Sequence, residues 1–345
     1  MSAVADHEIH HKLAQFRRFD QLGGKFRVAV VNACNLDCFF CHNEAMPNPR
    51  RRKPGQAKLT PVLRIDELVG IVNAYTRLGG RQVNITGGEP LAWKGLPELM
   101  ERIYPRNTRV MVNTNALLAD RLLAIPKLRN LDGMLASLHT TNEDRFERDL
   151  GQRGAAKVMR NIVALRDHGY TMNINYSLGP WNKEDFKNVL AYALDNGLLL
   201  KVIALVRPNE DRNFYRGDWT SPGFISDILT AHGAKHVQTK SSFGGRKSVW
   251  TANGTIIQVK NVAHGRLRTD FCKGCSVEKK CGEGIYGLRV GVDGAWKPCL
   301  LNRERHTPVL LPSRGGPSWT EQILDRIDAM VGDFDNARYA TGAPA

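Results

Sequence analysis

The seven cysteines of the chain fall into two groups whose spacing suits metal ligation. Cys34, Cys38 and Cys41 form a C-x3-C-x2-C loop at the end of the first predicted strand. A loop this tight can place three thiolates around one cubane cluster and leave the fourth iron without a protein ligand. Structural zinc usually takes four ligands, and His42, adjacent to Cys41, is badly placed to be the fourth. The first group therefore favours an iron-sulfur cluster with one open iron.

The second group lies near the carboxyl terminus and contains the remaining four cysteines, Cys272, Cys275, Cys281 and Cys299. Four thiolates suit either a closed zinc site or a fully ligated iron-sulfur cluster, and spacing alone does not separate the two. The 15 residues before the first phenylalanine show no apolar signal segment. We therefore expect a cytoplasmic protein whose thiols are ligands and not disulfide partners.

A glycine-rich turn follows the second predicted strand and reads Gly87-Gly88-Glu89-Pro90. Paired glycines let the backbone approach a ligand closely, and the Glu89 carboxylate could accept a hydrogen bond from an ammonium group. Taken alone, this motif would be an ordinary turn.

The cysteine loop and the glycine-rich turn together resemble the signature of the radical S-adenosylmethionine (SAM) superfamily. This resemblance implies that Cys34, Cys38 and Cys41 hold a 4Fe-4S cluster whose open iron binds the amino and carboxylate groups of SAM. It also implies reductive cleavage of SAM to a 5′-deoxyadenosyl radical that abstracts a substrate hydrogen. By the same resemblance, the SAM contacts are Phe40, Gly87, Gly88, Glu89, Pro90, Asn115 and Ser137.

The carboxyl-terminal cysteines also carry a resemblance. The stretch from Cys281 through Gly294 to Cys299 reads C-x12-G-x4-C and is similar to the hairpin of twitch and SPASM auxiliary-cluster domains. The resemblance implies a second 4Fe-4S cluster held by the four carboxyl-terminal cysteines.

Within the superfamily, the layout is similar to that of the GTP 3′,8-cyclases of molybdenum cofactor biosynthesis. Arg27 stands where those enzymes place a substrate-contacting arginine. The chain departs from them where they carry basic residues, since it has Gln82 and Asn84 before the glycine-rich turn and Asn173 in the fifth strand. We interpret the chain as a relative of the cyclases, with Arg27, Lys201 and Arg289 as candidate substrate contacts.

We therefore expect hydrogen abstraction from a small polar substrate of the nucleotide or sugar type, with electrons from an external reductant such as flavodoxin or ferredoxin. Alternatives are a peptide-modifying maturase, a GTP 3′,8-cyclase proper, and a non-enzymatic iron-sulfur protein that binds RNA or acts as a sensor. The formal charge of +15 motivates the RNA alternative, but no aromatic residues interleave with the basic run 50–53, so nucleic acid is not expected as a partner.

A general acid or base is not identified, although Tyr176, His139 and Asp211 are candidates.

Alternating strand and helix patterns predict how these motifs are positioned. Six strand-like runs separated by amphipathic helices favour an α/β fold with a parallel sheet, either a partial (β/α)6 TIM-like barrel or a doubly wound sheet. We favour the barrel, followed by a twitch-like auxiliary iron-sulfur domain, and no membrane span is predicted. The expected divisions are an extension at 1–25, a radical SAM core at 26–209 and a carboxyl-terminal region at 210–345 with the cluster domain at about 265–302. The predicted strands are 26–32, 82–86, 108–113, 133–138, 171–177 and 199–206, and the predicted helices are 65–78, 96–104, 155–168, 183–196, 224–232 and 319–331.

Overall fold

A computed structural model describes most of the chain. The described residues are 19, 21, 23–41, 44, 63–204, 222–242, 245–261, 266–276, 278, 285, 287–300, 307–308, 319–332 and 338–340. In this part of the chain, no helix is both long and apolar enough to cross a lipid bilayer.

The described residues form fourteen strands and eight α-helices, together with short 3-10 turns. The strands are β1 Phe26–Val31, β2 Gln82–Gly87, β3 Arg109–Thr114, β4 Gly133–Ser137, β5 Thr171–Leu178, β6 Leu199–Ala204, β7 Lys235–Ser242, β8 Gly245–Ala252, β9 Thr255–Lys260, β10 Arg266–Arg268, β11 Leu288–Val290, β12 Ala295–Trp296, β13 Thr307–Pro308 and β14 Arg338–Ala340. The helices are α1 Ile65–Arg77, α2 Leu96–Arg102, α3 Asp120–Leu123, α4 Glu143–Leu150, α5 Ala155–Asp167, α6 Phe186–Asp195, α7 Pro222–Ala231 and α8 Trp319–Gly332.

Twelve strands form one sheet in the order β13-β12-β11-β1-β2-β3-β4-β5-β6-β9-β8-β7. Strands β1 to β6 are parallel neighbours in chain order, as βα units require. Among the described residues, no strand pairing closes this sheet, and the predicted partial barrel is confirmed.

The two faces of the sheet differ because apolar and polar residues alternate along the strands. In β5, Ile174 and Tyr176 are buried, and the ring of Tyr176 stacks on Phe186 of α6. Asn173 and Asn175, which alternate with them, point to the opposite face, which we call the inner face. The helices thus cover one face, and the inner face is left to polar side chains.

The strands at the two ends of the sheet are not among the six predicted strands. Strands β8 and β9 form an antiparallel hairpin, β9 also pairs in parallel with β6, and β11 pairs in parallel with β1. These pairings join segments far apart in the chain, and strand periodicity carries no information about such partners.

Helix α4 was not predicted. Its sequence EDRFERDL is mostly charged, and only Phe146 and Leu150 are buried apolar residues. The helix is instead defined by its ends, because the Asn142 side chain accepts from the backbone N–H of Arg145 at 2.8 Å and Gly151 caps the carboxyl end with φ +89°.

Candidate functional site

The first cysteine loop follows β1 and is held by backbone hydrogen bonds to the end of α4. The N–H of Asp37 donates to the carbonyl of Leu150 at 2.9 Å, and the N–H of Phe39 donates to the carbonyl of Asp149 at 3.4 Å. Helix α4 therefore fixes the middle of the loop, between Cys34 and Cys41.

The glycine-rich turn is hydrogen-bonded to the beginning of the same loop. The N–H of Gly88 donates to the carbonyl of Val31 at 2.6 Å, and the N–H of Glu89 donates to the carbonyl of Ala33 at 2.9 Å. A Cβ atom at Gly87, where φ is +138°, would lie 2.1 Å from the Val31 carbonyl oxygen, and one at Gly88 would lie 2.1 Å from that of Ala33. Both glycines are thus required for two loops to approach each other.

The side chain of Glu89 is buried between the ends of β2 and β3. Its carboxylate accepts hydrogen bonds from the Thr114 hydroxyl at 2.6 Å, the Asn115 N–H at 2.7 Å and the Leu91 N–H at 2.9 Å. Burial raises the pKa of Glu89, and these three donors partly offset the rise. A carboxylate has about four acceptor sites, so capacity remains for one further donor. Pro90 is buried and opens the 3-10 turn Pro90–Ala92.

Asn115 connects this carboxylate to the cysteine loop. Its Nδ2 donates to Asn35 Oδ1 at 2.7 Å and lies 3.8 Å from Cys34 Sγ, which also accepts from the Leu36 N–H at 3.4 Å. Donors directed at sulfur suit a thiolate, because they stabilise its negative charge. Among the described residues, no group of three or more His, Cys, Asp or Glu side chains is arranged to hold a metal ion.

An aromatic group packs beside the last cysteine. Phe40 is buried, stacks on Trp181 at 5.5 Å and meets His139 edge-on at 5.1 Å. The Nδ1 atom of His139 accepts from the Ser177 N–H at 3.1 Å, and burial lowers the pKa of His139 to about 4. His139 is therefore a neutral imidazole near pH 7. Ser137, two residues earlier, ends β4 and is half-buried.

Glu44 joins two of the predicted substrate contacts. Arg27 of β1 and Arg289 of β11 are register partners on adjacent strands, and the Glu44 carboxylate lies between their guanidinium groups. It is 3.2 Å from Nε of each arginine, it also binds Nη2 of Arg27, and it accepts from the Thr86 hydroxyl at 3.1 Å. These cations lower the pKa of Glu44 to about 2 despite its burial. Sequence analysis missed Glu44, and its position three residues after Cys41 was the only signal.

A chain of amides extends from Arg27 across the inner face. Gln82 and Asn84 are hydrogen-bonded at 2.8 Å, and Asn84 and Asn113 at 2.9 Å. When the Asn113 amide is turned so that its oxygen faces Arg27, the oxygen accepts from Nη1 and Nη2 at 3.1 Å each, and the Asn113 amide nitrogen replaces the oxygen at 2.9 Å from Asn84 Nδ2. The guanidinium, which can only donate, favours this orientation. Gln82 and Asn84, which depart from the cyclase pattern, thus place neutral amides on the inner face.

Lys201 lies on the opposite side of the inner face, on β6. It is the register partner of Asn175 on β5 and of Gln258 on β9. Burial, followed by the charges of Lys25, Lys260, Arg27 and Lys247, holds the pKa of Lys201 well below its usual value.

Three of the four carboxyl-terminal cysteines lie in described residues. Cys272 and Cys275 share one turn, in which the Cys275 N–H donates to the Cys272 carbonyl at 3.1 Å and Gly274 has φ +71°. Cys299 is buried beyond β12. Cys281 lies outside the described residues.

The candidates for a general acid or base differ in where their side chains lie. Tyr176 faces the helices, donates its hydroxyl to the Asn182 carbonyl at 2.6 Å and has a raised pKa because it is buried. It is therefore not positioned to exchange a proton on the inner face. Asp211 lies outside the described residues.

The chain is similar to known proteins. Residues 28–193 match the family model described as the Radical SAM superfamily. The chain is 27% identical over 313 residues to a probable GTP 3′,8-cyclase of Pyrococcus horikoshii, covering 89% of this chain and 93% of the relative. It is 28% identical over 310 residues to the probable GTP 3′,8-cyclase of Archaeoglobus fulgidus.

Among solved structures, the fold is similar to that of Streptococcus suis SuiB bound to S-adenosylmethionine, with a TM-score of 0.54 and 13% identity. The similarity covers 92% of this chain but only 66% of SuiB, so the chain spans just under two thirds of that protein's length. At this identity, the likeness concerns the fold alone.

The family match covers residues 28–193, just under half of the chain, and it indicates an enzyme; the cofactors of that family are a 4Fe-4S cluster and SAM. The curated relatives that it matches over most of its length are named probable GTP 3′,8-cyclases.

Proposed function

We propose that this enzyme abstracts a hydrogen atom from a small polar substrate, of the nucleotide or sugar type, bound against the inner face of the sheet. One observation supports this best. The cysteine loop and the glycine-rich turn are hydrogen-bonded together where β1 and β2 end, and the inner face below them is polar and cationic. Functional residues of barrel enzymes are expected at this end of the strands.

In this proposal, Cys34, Cys38 and Cys41 hold the first cluster. The bound cluster and SAM supply the electron transfer and the 5′-deoxyadenosyl radical. The protein positions SAM by close backbone approach at the glycine-rich turn, by one remaining acceptor site on Glu89, and by the aromatic group beside the last cysteine. The proposed SAM contacts are Phe40, Gly87, Gly88, Glu89, Pro90, Asn115 and Ser137.

The carboxyl-terminal cysteines Cys272, Cys275, Cys281 and Cys299 are proposed to hold a second 4Fe-4S cluster. Four thiolates leave no open iron, so this cluster would serve as an electron relay and not as a substrate ligand. The turn at Cys272 and Cys275 suits two ligands of one metal centre, and the burial of Cys299 suits a third. Electrons would enter from an external reductant such as flavodoxin or ferredoxin.

GTP is a specific second candidate for the substrate, because the curated relatives are named probable GTP 3′,8-cyclases. Arg27 and Arg289 are retained on the inner face, but neutral Gln82, Asn84 and Asn173 occupy positions where the cyclases carry cations. Incubation of the reconstituted enzyme with GTP, SAM and dithionite tests this candidate. Formation of a cyclised nucleotide supports it, and SAM cleavage without nucleotide turnover favours another polar substrate.

Iron counting tests the two-cluster assignment. Anaerobic reconstitution is expected to give about eight irons per chain, falling to about four when Cys34, Cys38 and Cys41 are replaced by Ala. SAM cleavage should be lost in that variant and retained when Cys272 and Cys275 are replaced. Zinc at the carboxyl-terminal group, with about four irons in all, would contradict the second cluster.

A further inference from the structure

The cysteine loop has a third contact, besides its backbone hydrogen bonds to α4 and to the glycine-rich turn. This contact is made by aromatic side chains. Trp181, in the loop that follows β5, stacks on Phe40 with ring centroids 5.5 Å apart and an interplanar angle of 22°. The same indole forms a T-shaped pair with Phe39 at 5.1 Å. Trp181 thus packs on the two residues that immediately precede Cys41.

The ring of Phe40 is enclosed from several directions. Trp181 covers one of its faces, and Phe39 and His139 each form a T-shaped pair with it at a centroid distance of 5.1 Å. Only 8% of Phe40 is exposed. Stacked and T-shaped aromatic pairs have preferred geometries and each contribute about 0.5–1.5 kcal/mol beyond burial. The packing therefore favours one orientation of the Phe40 ring.

Asn182 fixes the loop that carries Trp181. The buried side chain of Asn182 accepts from the Gly179 N–H at 2.9 Å. It also donates to the carbonyls of His139 and Ser177 at 2.9 Å each. Asn182 thereby ties the loop after β5 to the residues that follow β4 and to β5 itself, so the position of Trp181 is set by the sheet.

Gly179 leaves the space that the indole of Trp181 occupies. A Cβ atom at Gly179 would lie 1.9 Å from Cζ3 and 2.0 Å from Cη2 of Trp181. Any side chain at this position would push the indole away from its place against Phe40. The Arg145 guanidinium donates to the Trp181 carbonyl, so the backbone of Trp181 is held as well.

We propose that Trp181 is a positioning residue for SAM, because it holds the ring of Phe40 in the orientation that receives SAM. This inference rests on the proposed function in assigning Phe40 as a SAM contact, and Trp181 acts through Phe40. Without the indole, Phe40 would lose the partner on one face, and SAM would have to order the ring on binding. The loss should therefore appear in SAM affinity and not in the rate of cleavage once SAM is bound.

Titration calorimetry of the anaerobically reconstituted enzyme with SAM tests this role. We expect Trp181→Leu to weaken SAM binding by about tenfold, since it removes two aromatic pairs. Gly179→Ala keeps the tryptophan but displaces its ring, and it should weaken binding in the same direction. Trp181→Phe can still stack on Phe40 and should stay within about threefold of wild type. In SAM cleavage, the KM for SAM should rise in Trp181→Leu, with the maximal rate within about twofold of wild type.

Two matched controls separate this effect from a general loss of packing. Trp250→Leu removes another half-buried tryptophan, on β8, and should leave SAM affinity within about twofold of wild type. Gly80→Ala is matched to Gly179→Ala, because its Cβ atom would lie 2.2 Å from Cε1 of the Tyr75 ring. Gly80 lies just before β2, at the opposite end of that strand from the glycine-rich turn, so this variant should lose stability and retain SAM affinity.

The proposal is overturned if Trp181→Leu and Gly179→Ala bind SAM as tightly as wild type, or if the two controls weaken it equally. It is also overturned if Trp181→Phe is as weak as Trp181→Leu, or if Trp181→Leu loses iron in step with its SAM affinity. Iron content is therefore measured on the same samples and should be equal in all of them. A wild-type enzyme that does not bind SAM would contradict the proposed function itself, and with it this inference.

Discussion

Glu44 shows how one residue can decide the chemistry of a surface. Two arginines in register on adjacent strands would repel each other across the inner face. The Glu44 carboxylate, with a pKa of about 2, compensates them and accepts from Thr86 as well. Glu44 thereby ties the segment after the cysteine loop to β1, β2 and β11.

Glu44→Gln should lower the free energy of unfolding by about 3 kcal/mol, because breaking a buried ion pair leaves uncompensated charge. Urea denaturation followed by circular dichroism measures this. Glu98→Gln is the control, since Glu98 pairs with Arg102 at 2.9 Å on the surface and should cost less than about 1 kcal/mol. Equal effects in the two variants would contradict a compensating role for Glu44.

Among the elements, α4 supports the cysteine loop most directly. Its last residues accept hydrogen bonds from Asp37 and Phe39, and its cap, Gly151, lies against Asp37. Helix α4 has few apolar side chains to bury, so its caps and its hydrogen bonds to the cysteine loop fix its position.

Gly151→Ala should destabilise the protein by about 1 kcal/mol or more and also lower the iron content after reconstitution. The left-handed φ of +89° strains any side chain, and the new Cβ would lie 3.3 Å from Asp37 Cβ. Gly197→Ala is the matched control, because Gly197 follows α6 with φ +62° and has nothing within 4 Å of a Cβ. It should lose similar stability yet retain full iron, and iron loss in both variants would exclude a specific effect on the loop.

At the scale of the molecule, the carboxyl-terminal part of the chain continues the core sheet. Strand β11 pairs with β1, β9 pairs with β6, and helix α8 packs on α1. We therefore expect the regions before and after residue 209 to unfold together.

Ile327→Ala tests this cooperativity. Ile327 of α8 is fully buried, and its truncation should cost about 3 kcal/mol. Thermal unfolding should remain a single transition at a lower midpoint, whereas Arg326→Ala, on the exposed side of α8, should leave the midpoint nearly unchanged. Two separate transitions in Ile327→Ala would show that α8 unfolds independently of the barrel.

Local sequence determined the features that depend on neighbours along the chain. The cysteine spacing, the glycine-rich turn and the periods of the six core strands were recognisable because each is complete within a few residues. The partial barrel followed from their alternation, and the family match agrees with both motifs.

The tertiary structure decided which residues that are far apart in the sequence come into contact. Glu44 meets Arg289 only because β11 pairs with β1, and Lys201 is in register with Gln258 only because β9 adds to β6. A charged residue gives no local signal of the partner it will find, since the partner is set by strand order and register across the whole sheet. The local motifs therefore predicted the match of residues 28–193 to the radical SAM superfamily, whereas the fold decided that the Glu44 carboxylate compensates Arg27 and Arg289.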